Sequence, residues 1–63
     1  MPVVRLERPD FDAIVAAVEA RDAAQREVDL RVAQARDHGA SWTLIGTALG
    51  VTRQSAHERY AKA

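Results

Sequence analysis

Residues 41–60 read SWTLIGTALGVTRQSAHERY, and this stretch decides the fold. Ser41 is a good N-cap, because its hydroxyl can accept from a first-turn amide that has no partner inside the helix. Behind it, Trp42, Ile45, Gly46 and Leu49 fall at i, i+3, i+4 and i+7, on one face of a short helix. Gly50 ends that helix, since glycine tolerates the positive φ of a tight turn. Thr52 then repeats the cap for a further helix from residue 53 to about 62. Ala56 and Tyr60 are its inward positions; Arg53, Gln54, Ser55, His57, Glu58, Ala61 and Lys62 point outward. Ile45, Leu49, Val51 and Ala56 are placed to fill the joint, and Gly46 is small where the two helices approach closest.

Upstream of Ser41, residues 10–37 read as one long helix. Asp10 is the expected N-cap after Pro9, and Asp12 suits the positive helix end. No glycine or proline interrupts Phe11 to His38, and Ala, Arg, Glu, Gln and Leu are good helix formers. Gly39 is placed as the left-handed residue just past the end. Phe11, Ile14 or Val15, Val18, Ala24, Val28, Val32 and Ala35 recur at helical spacing, while Arg21, Asp22, Gln25 and Arg26 thin the stripe at its centre. Residues 1–9, MPVVRLERP, carry Val4 and Leu6 on one side of an extended segment that Pro9 closes. Such an arm frays, lies on a helix, or pairs with its twin. The expected fold is therefore all-α. A short extended arm covers 1–9, and one helical domain covers 10–63, with the long helix followed by a helix-turn-helix over 41–62.

Sixty-three residues make one domain with a small core. The apolar fraction is 48%, but thirteen of those residues are alanine, so self-association is expected. A tri-helical unit needs only the end of the long helix. Phe11, Ile14, Val15 and Val18 are surplus to it, and a second copy is their natural cover, which makes them the expected homodimer interface. There is no cysteine, hence no disulfide and no thiolate zinc site; two histidines are too few for a structural metal. No metal and no cofactor is expected. No apolar run reaches the roughly 18–20 residues of a membrane span, and residues 1–15 lack the order of a signal peptide, so the expected location is cytoplasmic. Nothing in the chain has the pattern of a catalytic centre, and no enzyme is expected.

The formal net charge is zero but unevenly spread: residues 1–29 carry a net −3 and residues 30–63 a net +3. A basic half suits a polyanion. The third helix opens Thr52-Arg53-Gln54-Ser55, short polar and basic residues that its N-terminal end would present to base edges. Arg53 and Gln54 have side chains suited to bidentate contacts with guanine and adenine, and Ser55 and His57 complete the candidate base-contacting set. Thr52, with Arg31, Arg36 and Lys62, forms the candidate phosphate-contacting set. Trp42, at a core spacing, is expected to be buried.

The stretch Val32–Tyr60 resembles the tri-helical helix-turn-helix of bacterial DNA-binding proteins. Similar segments occur in the fourth region of sigma factors, in the DNA-binding ends of serine recombinases and in small actinobacterial regulators. The resemblance rests on the Gly-Ala-Ser-Trp entry, Ile45-Gly46, Leu49-Gly50-Val51 and Thr52-Arg53-Gln54. It implies that Arg53, Gln54 and His57 fall where the family reads bases. The chain departs from the pattern at Arg59, where the family often has an aliphatic residue; Tyr60 is expected to take over its packing role. The expected function is sequence-specific binding of double-stranded DNA by a nucleoid-associated dimer, with the third helix in the major groove. Such a protein would be a small transcriptional regulator, or a phage or plasmid accessory factor. The alternative is a protein-interaction module that docks a polymerase or recombinase partner through the long helix.

Overall fold

Two hydroxyl caps and two left-handed glycines set the element boundaries. The computed structural model describes residues 8–61, and these form three helices: α1 (Arg8–Asp37), α2 (Trp42–Leu49) and α3 (Arg53–Tyr60). Ser41 Oγ accepts from the Leu44 amide at 3.1 Å, and Thr52 Oγ1 accepts from the Ser55 amide at 3.0 Å. At the end of α1, Gly39 has φ +88°. Its amide donates to Arg36, and the Ala40 amide donates to Ala35, both at 2.9 Å. The end of α2 repeats this closure around Gly50, φ +75°, with Gly50 donating to Thr47 at 3.2 Å and Val51 to Gly46 at 2.9 Å. These are Schellman closures, in which glycine takes a conformation that L side chains rarely adopt. They make the α1–α2 and α2–α3 connections short and fixed.

The chain is all-α, with a long first helix followed by two shorter ones. Two boundaries differ from the sequence expectation. Helix α1 opens at Arg8, two residues before the expected Asp10 cap, and takes Pro9 into its first turn. Proline fits there because the first amides of a helix have no internal partner. Of the expected arm, residues 1–7 lie outside the described residues. Helix α3 ends at Tyr60, with Ala61 as its cap, and Lys62 lies outside the described residues. The polar centre of α1 does not break it; the helix runs through Arg21–Arg26 without interruption.

The core is small. Among the described residues only Val32, Ile45 and Ala56 are buried hydrophobics, one from each helix, and Ala35, Ala40, Trp42, Leu49, Val51 and Tyr60 pack around them. Trp42 and Leu49, both expected to be buried, are half-buried instead, because a joint of two eight-residue helices cannot enclose side chains of that size. Leu49→Ala should therefore cost only about 1–2 kcal/mol, the value for a partly covered aliphatic group. The expectation for Gly46 holds in a sharper form. A Cβ there would sit 3.0 Å from the backbone of Val51 and Thr52, so the close approach is to the turn itself. Gly46→Ala is expected to destabilise by about 1–3 kcal/mol despite the better helix propensity of alanine. Thermal melting against the exposed control Thr47→Ala measures it, and an unchanged midpoint would show that the turn yields.

Only the C-terminal part of α1 takes part in this unit. The molecule measures 53 × 23 × 20 Å, with a radius of gyration of 17.5 Å. A compact chain of this length would have about 11 Å. Every residue from Arg8 to Arg31 is exposed. Phe11, Ile14, Val15 and Val18 are 56%, 50%, 38% and 38% exposed, an apolar stripe with no cover from this chain.

Candidate nucleic-acid interface

Helix α3 is held by one face. Ala56 is fully buried, and Tyr60, one turn on, is half-buried. The Tyr60 hydroxyl donates to Asp29 Oδ1 at 2.8 Å, and Gln25 Nε2 donates to the same carboxylate oxygen at 2.9 Å and to the Tyr60 oxygen at 3.4 Å. This network ties the end of α3 to α1. Tyr60 turns inward, as expected, and Arg59 stays exposed. Hydrogen bonds from Gln25 and then Tyr60 hold the Asp29 carboxyl below its ordinary range. The Tyr60 phenol is raised, chiefly because it donates to Asp29 and secondarily by burial.

The signs give a pH prediction. A lowered Asp29 stabilises the fold above the ordinary carboxyl range, and that contribution is lost as pH falls through its folded value. A raised Tyr60 stabilises below the ordinary phenol range, and that contribution is lost as pH climbs through its folded value. Between about pH 4 and pH 10 the tie is intact. Urea unfolding of the wild type and Tyr60→Phe, carried below about pH 4 and above about pH 10, should show a gap that is constant between those values and closes beyond them. A gap independent of pH would mean that the hydroxyl contributes nothing through Asp29.

With Ala56 and Tyr60 inward, the other face of α3 is open. Thr52, Arg53, Gln54 and His57 line one shallow concavity at its N-terminal end. Four of the expected contact residues are thus brought together. Their engagement differs. Arg53 is exposed and has no ion pair or side-chain hydrogen bond among the described residues. Gln54 Nε2 donates to Glu58 Oε1 at 3.1 Å, an exposed bond within the helix that a base edge can replace. Thr52 Oγ1 is already used as the cap acceptor, which leaves its hydroxyl proton to donate. His57 lies edge-on to Trp42, with ring centroids 5.4 Å apart and planes at 84°.

The remaining expected residues sit elsewhere. Ser55 is half-buried and falls on the other side of α3 from His57, so it does not join the set. The sequence reading placed it outward because it is short and polar, but it adjoins the fully buried Ala56 and is itself partly covered. Arg31 is paired with Glu27 at 2.8 Å and donates to Gln34 at 3.1 Å, on the exposed surface of α1. Arg36 is committed to the joint. Its Nη1 donates to the Ala40 carbonyl at 2.7 Å, and its guanidinium lies 4.5 Å from the centre of the Trp42 ring. Lys62 lies outside the described residues.

The Arg36–Trp42–His57 stack was not legible as a unit. It brings one residue from α1 and one from α3 onto the single indole of α2. This places His57 beside the open face while fixing its ring. The Gln25–Asp29–Tyr60 tie was equally hidden, although the polar residues interrupting the α1 stripe mark where it lies.

Among the described residues no helix is long and apolar enough to cross a membrane, and no three metal-ligating side chains cluster. The chain is 43% identical over 49 residues, 78% of its length, to an uncharacterized protein of Mycobacterium bovis and to uncharacterized proteins of two strains of Mycobacterium tuberculosis. The matched stretch is 19% of each of those proteins, so the chain spans about a fifth of the length of the curated relatives it matches. No family model matches the chain, and no solved structure matches it.

Proposed function

We propose that the chain binds double-stranded DNA as a dimer, presenting the open face of α3 to the major groove, in the manner of a small transcriptional regulator or a phage or plasmid accessory factor. The observation that carries this reading is the grouping of Thr52, Arg53, Gln54 and His57 at the exposed N-terminal end of a helix whose opposite face is packed. Recognition helices meet base edges with this end. Arg53 and Gln54 supply the forked donor and the amide suited to guanine and adenine. Thr52 supplies a phosphate donor. One eight-residue helix reads few base pairs, so a second copy is part of the proposal.

Selection of bound duplexes from random DNA tests it. Enrichment of a two-fold symmetric sequence, with binding that weakens steeply as salt rises, is the expected result. Absence of any enriched sequence would overturn it. The exposed stripe of α1 would then favour the alternative, docking of a polymerase or recombinase partner, whose apolar contact changes little with salt.

A further inference from the structure

We infer that two copies of this chain pair antiparallel through the N-terminal half of α1, over residues 8–22, with Ile14 and Val15 at the centre of the contact. This deepens the dimeric part of the proposed function and rests on it, but every readout below is free of DNA.

The direction follows from where α3 sits. At 100° per residue, Phe11, Ile14, Val15 and Val18 project on the same face of α1 as Gln25, Asp29 and Val32. That second group is the seat of α3, through Tyr60 and the core. The apolar stripe is therefore a continuation of the docking face, left uncovered where α3 ends. From Val18 to Gln25 is about 10 Å along the helix. In a parallel pair, both copies of α3 would occupy the space between the helices within that distance and wedge them apart. In an antiparallel pair, the two tri-helical units fall at opposite ends, and the overlap stops short of Gln25 in each copy.

The register follows from the side chains. Pairing about Ile14 and Val15 sets Phe11 of each copy against Val18 of the other, so the four exposed apolar residues cover one another. The charges next to the stripe then agree, while Asp12 and Glu19 lie farther round the first flank. Arg8 and Asp22 lie on one side of the stripe, Asp10 and Arg21 on the other. In an antiparallel pair like sides meet, so Arg8 of each copy faces Asp22 of the other, and Asp10 faces Arg21. Among the described residues Arg8 pairs only with Asp12 at 3.8 Å, and Arg21 only with Asp22 at 3.6 Å, all of them solvent-exposed. These loose pairs leave the charges free to meet a second copy.

The absence of native cysteine makes the test direct, because any introduced thiol is the only one. The 63-residue chain with Val15→Cys, oxidised at micromolar concentration, should form a disulfide-linked dimer. Val18→Cys alone should not, since in this register its Cα atoms lie on the order of 14 Å apart, beyond the roughly 7 Å a disulfide can span. A mixture of Phe11→Cys and Val18→Cys chains should give mainly the mixed dimer. Far-UV circular dichroism of each reduced variant confirms that the helices are retained. Sedimentation of the unmodified chain should give the dimer mass. Cross-linking of Val18→Cys as readily as Val15→Cys would overturn the inference in favour of a parallel pair. A monomer that fails to cross-link at Val15 would overturn it outright. Neither result touches DNA binding by α3, which the selection experiment reports separately.

Discussion

Ile45→Ala should remove most of the stability of the tri-helical unit. Ile45 is 4% exposed, and it is the larger of the two buried hydrophobics that α2 and α3 bring to the core. Its neighbours are Val32 on α1 and Ala56 on α3, so one side chain joins all three helices. Truncating a buried Ile to Ala costs about 2–5 kcal/mol when the site cannot collapse. A chain of this size has a total stability on the order of 3–9 kcal/mol. The loss is thus comparable with the whole. The gap cannot close easily, because Gly46 already holds the adjacent turn against the helix at backbone contact. Trp42 is the chain's single tryptophan and lies in the same joint, so its fluorescence follows the unfolding. Urea unfolding should show a midpoint near zero denaturant for the variant. A loss below about 1 kcal/mol would mean that α2 is not packed by this residue.

Arg53→Ala should produce the largest loss in binding. Removing a bidentate contact to a base costs about 1–3 kcal/mol per site and relaxes preference at that base pair. Two copies on a symmetric site double the effect. Arg53 makes no ion pair or side-chain hydrogen bond among the described residues, so its loss should leave the melting temperature unchanged and the defect can be read as contact alone. Arg31→Ala is the comparison. It lies on α1 away from the α3 concavity, and if it touches only phosphate it should weaken all duplexes alike and flatten the salt dependence. Anisotropy titrations on the selected and a scrambled duplex, at two salt concentrations, separate the two. Unmoved curves for Arg53→Ala would mean that α3 does not read DNA.

The fold was legible where local chemistry is decisive. Ser41 and Thr52 cap because a short hydroxyl beside an unpartnered amide has few better options, and Gly39 and Gly50 close helices because other residues pay for positive φ. The start of α1 was less legible. Pro9 reads as a stop from upstream and as a permitted first-turn residue from downstream, and the sequence does not choose between them.

The candidate site was half legible. Helical spacing identifies Arg53, Gln54 and His57 as outward once Ala56 is inward, because α3 has only one apolar face. Spacing says nothing about which polar residues are already spent. Arg36 looks like a free cation in the sequence, yet it is stacked on Trp42 and bonded to Ala40. Asp29 looks like an interruption of an apolar stripe, yet it accepts from a tyrosine 31 residues away. Such partners depend on how three helices meet, and a pattern along one helix does not encode that.

The unbroken course of α1 has a mechanical consequence. Its outer apolar stripe and the seat of α3 are two marks on one rigid shaft, so their relation is a matter of phase. Inserting a single residue between Val18 and Gln25 would turn one mark about 100° from the other while lengthening the shaft by only about 1.5 Å. Inserting seven would nearly restore the phase and move the marks about 10 Å farther apart. Composition and helix propensity would hardly register either change. Under the proposed pairing, the length of this segment is constrained in steps set by the helical repeat, although every side chain in it is exposed in the single chain.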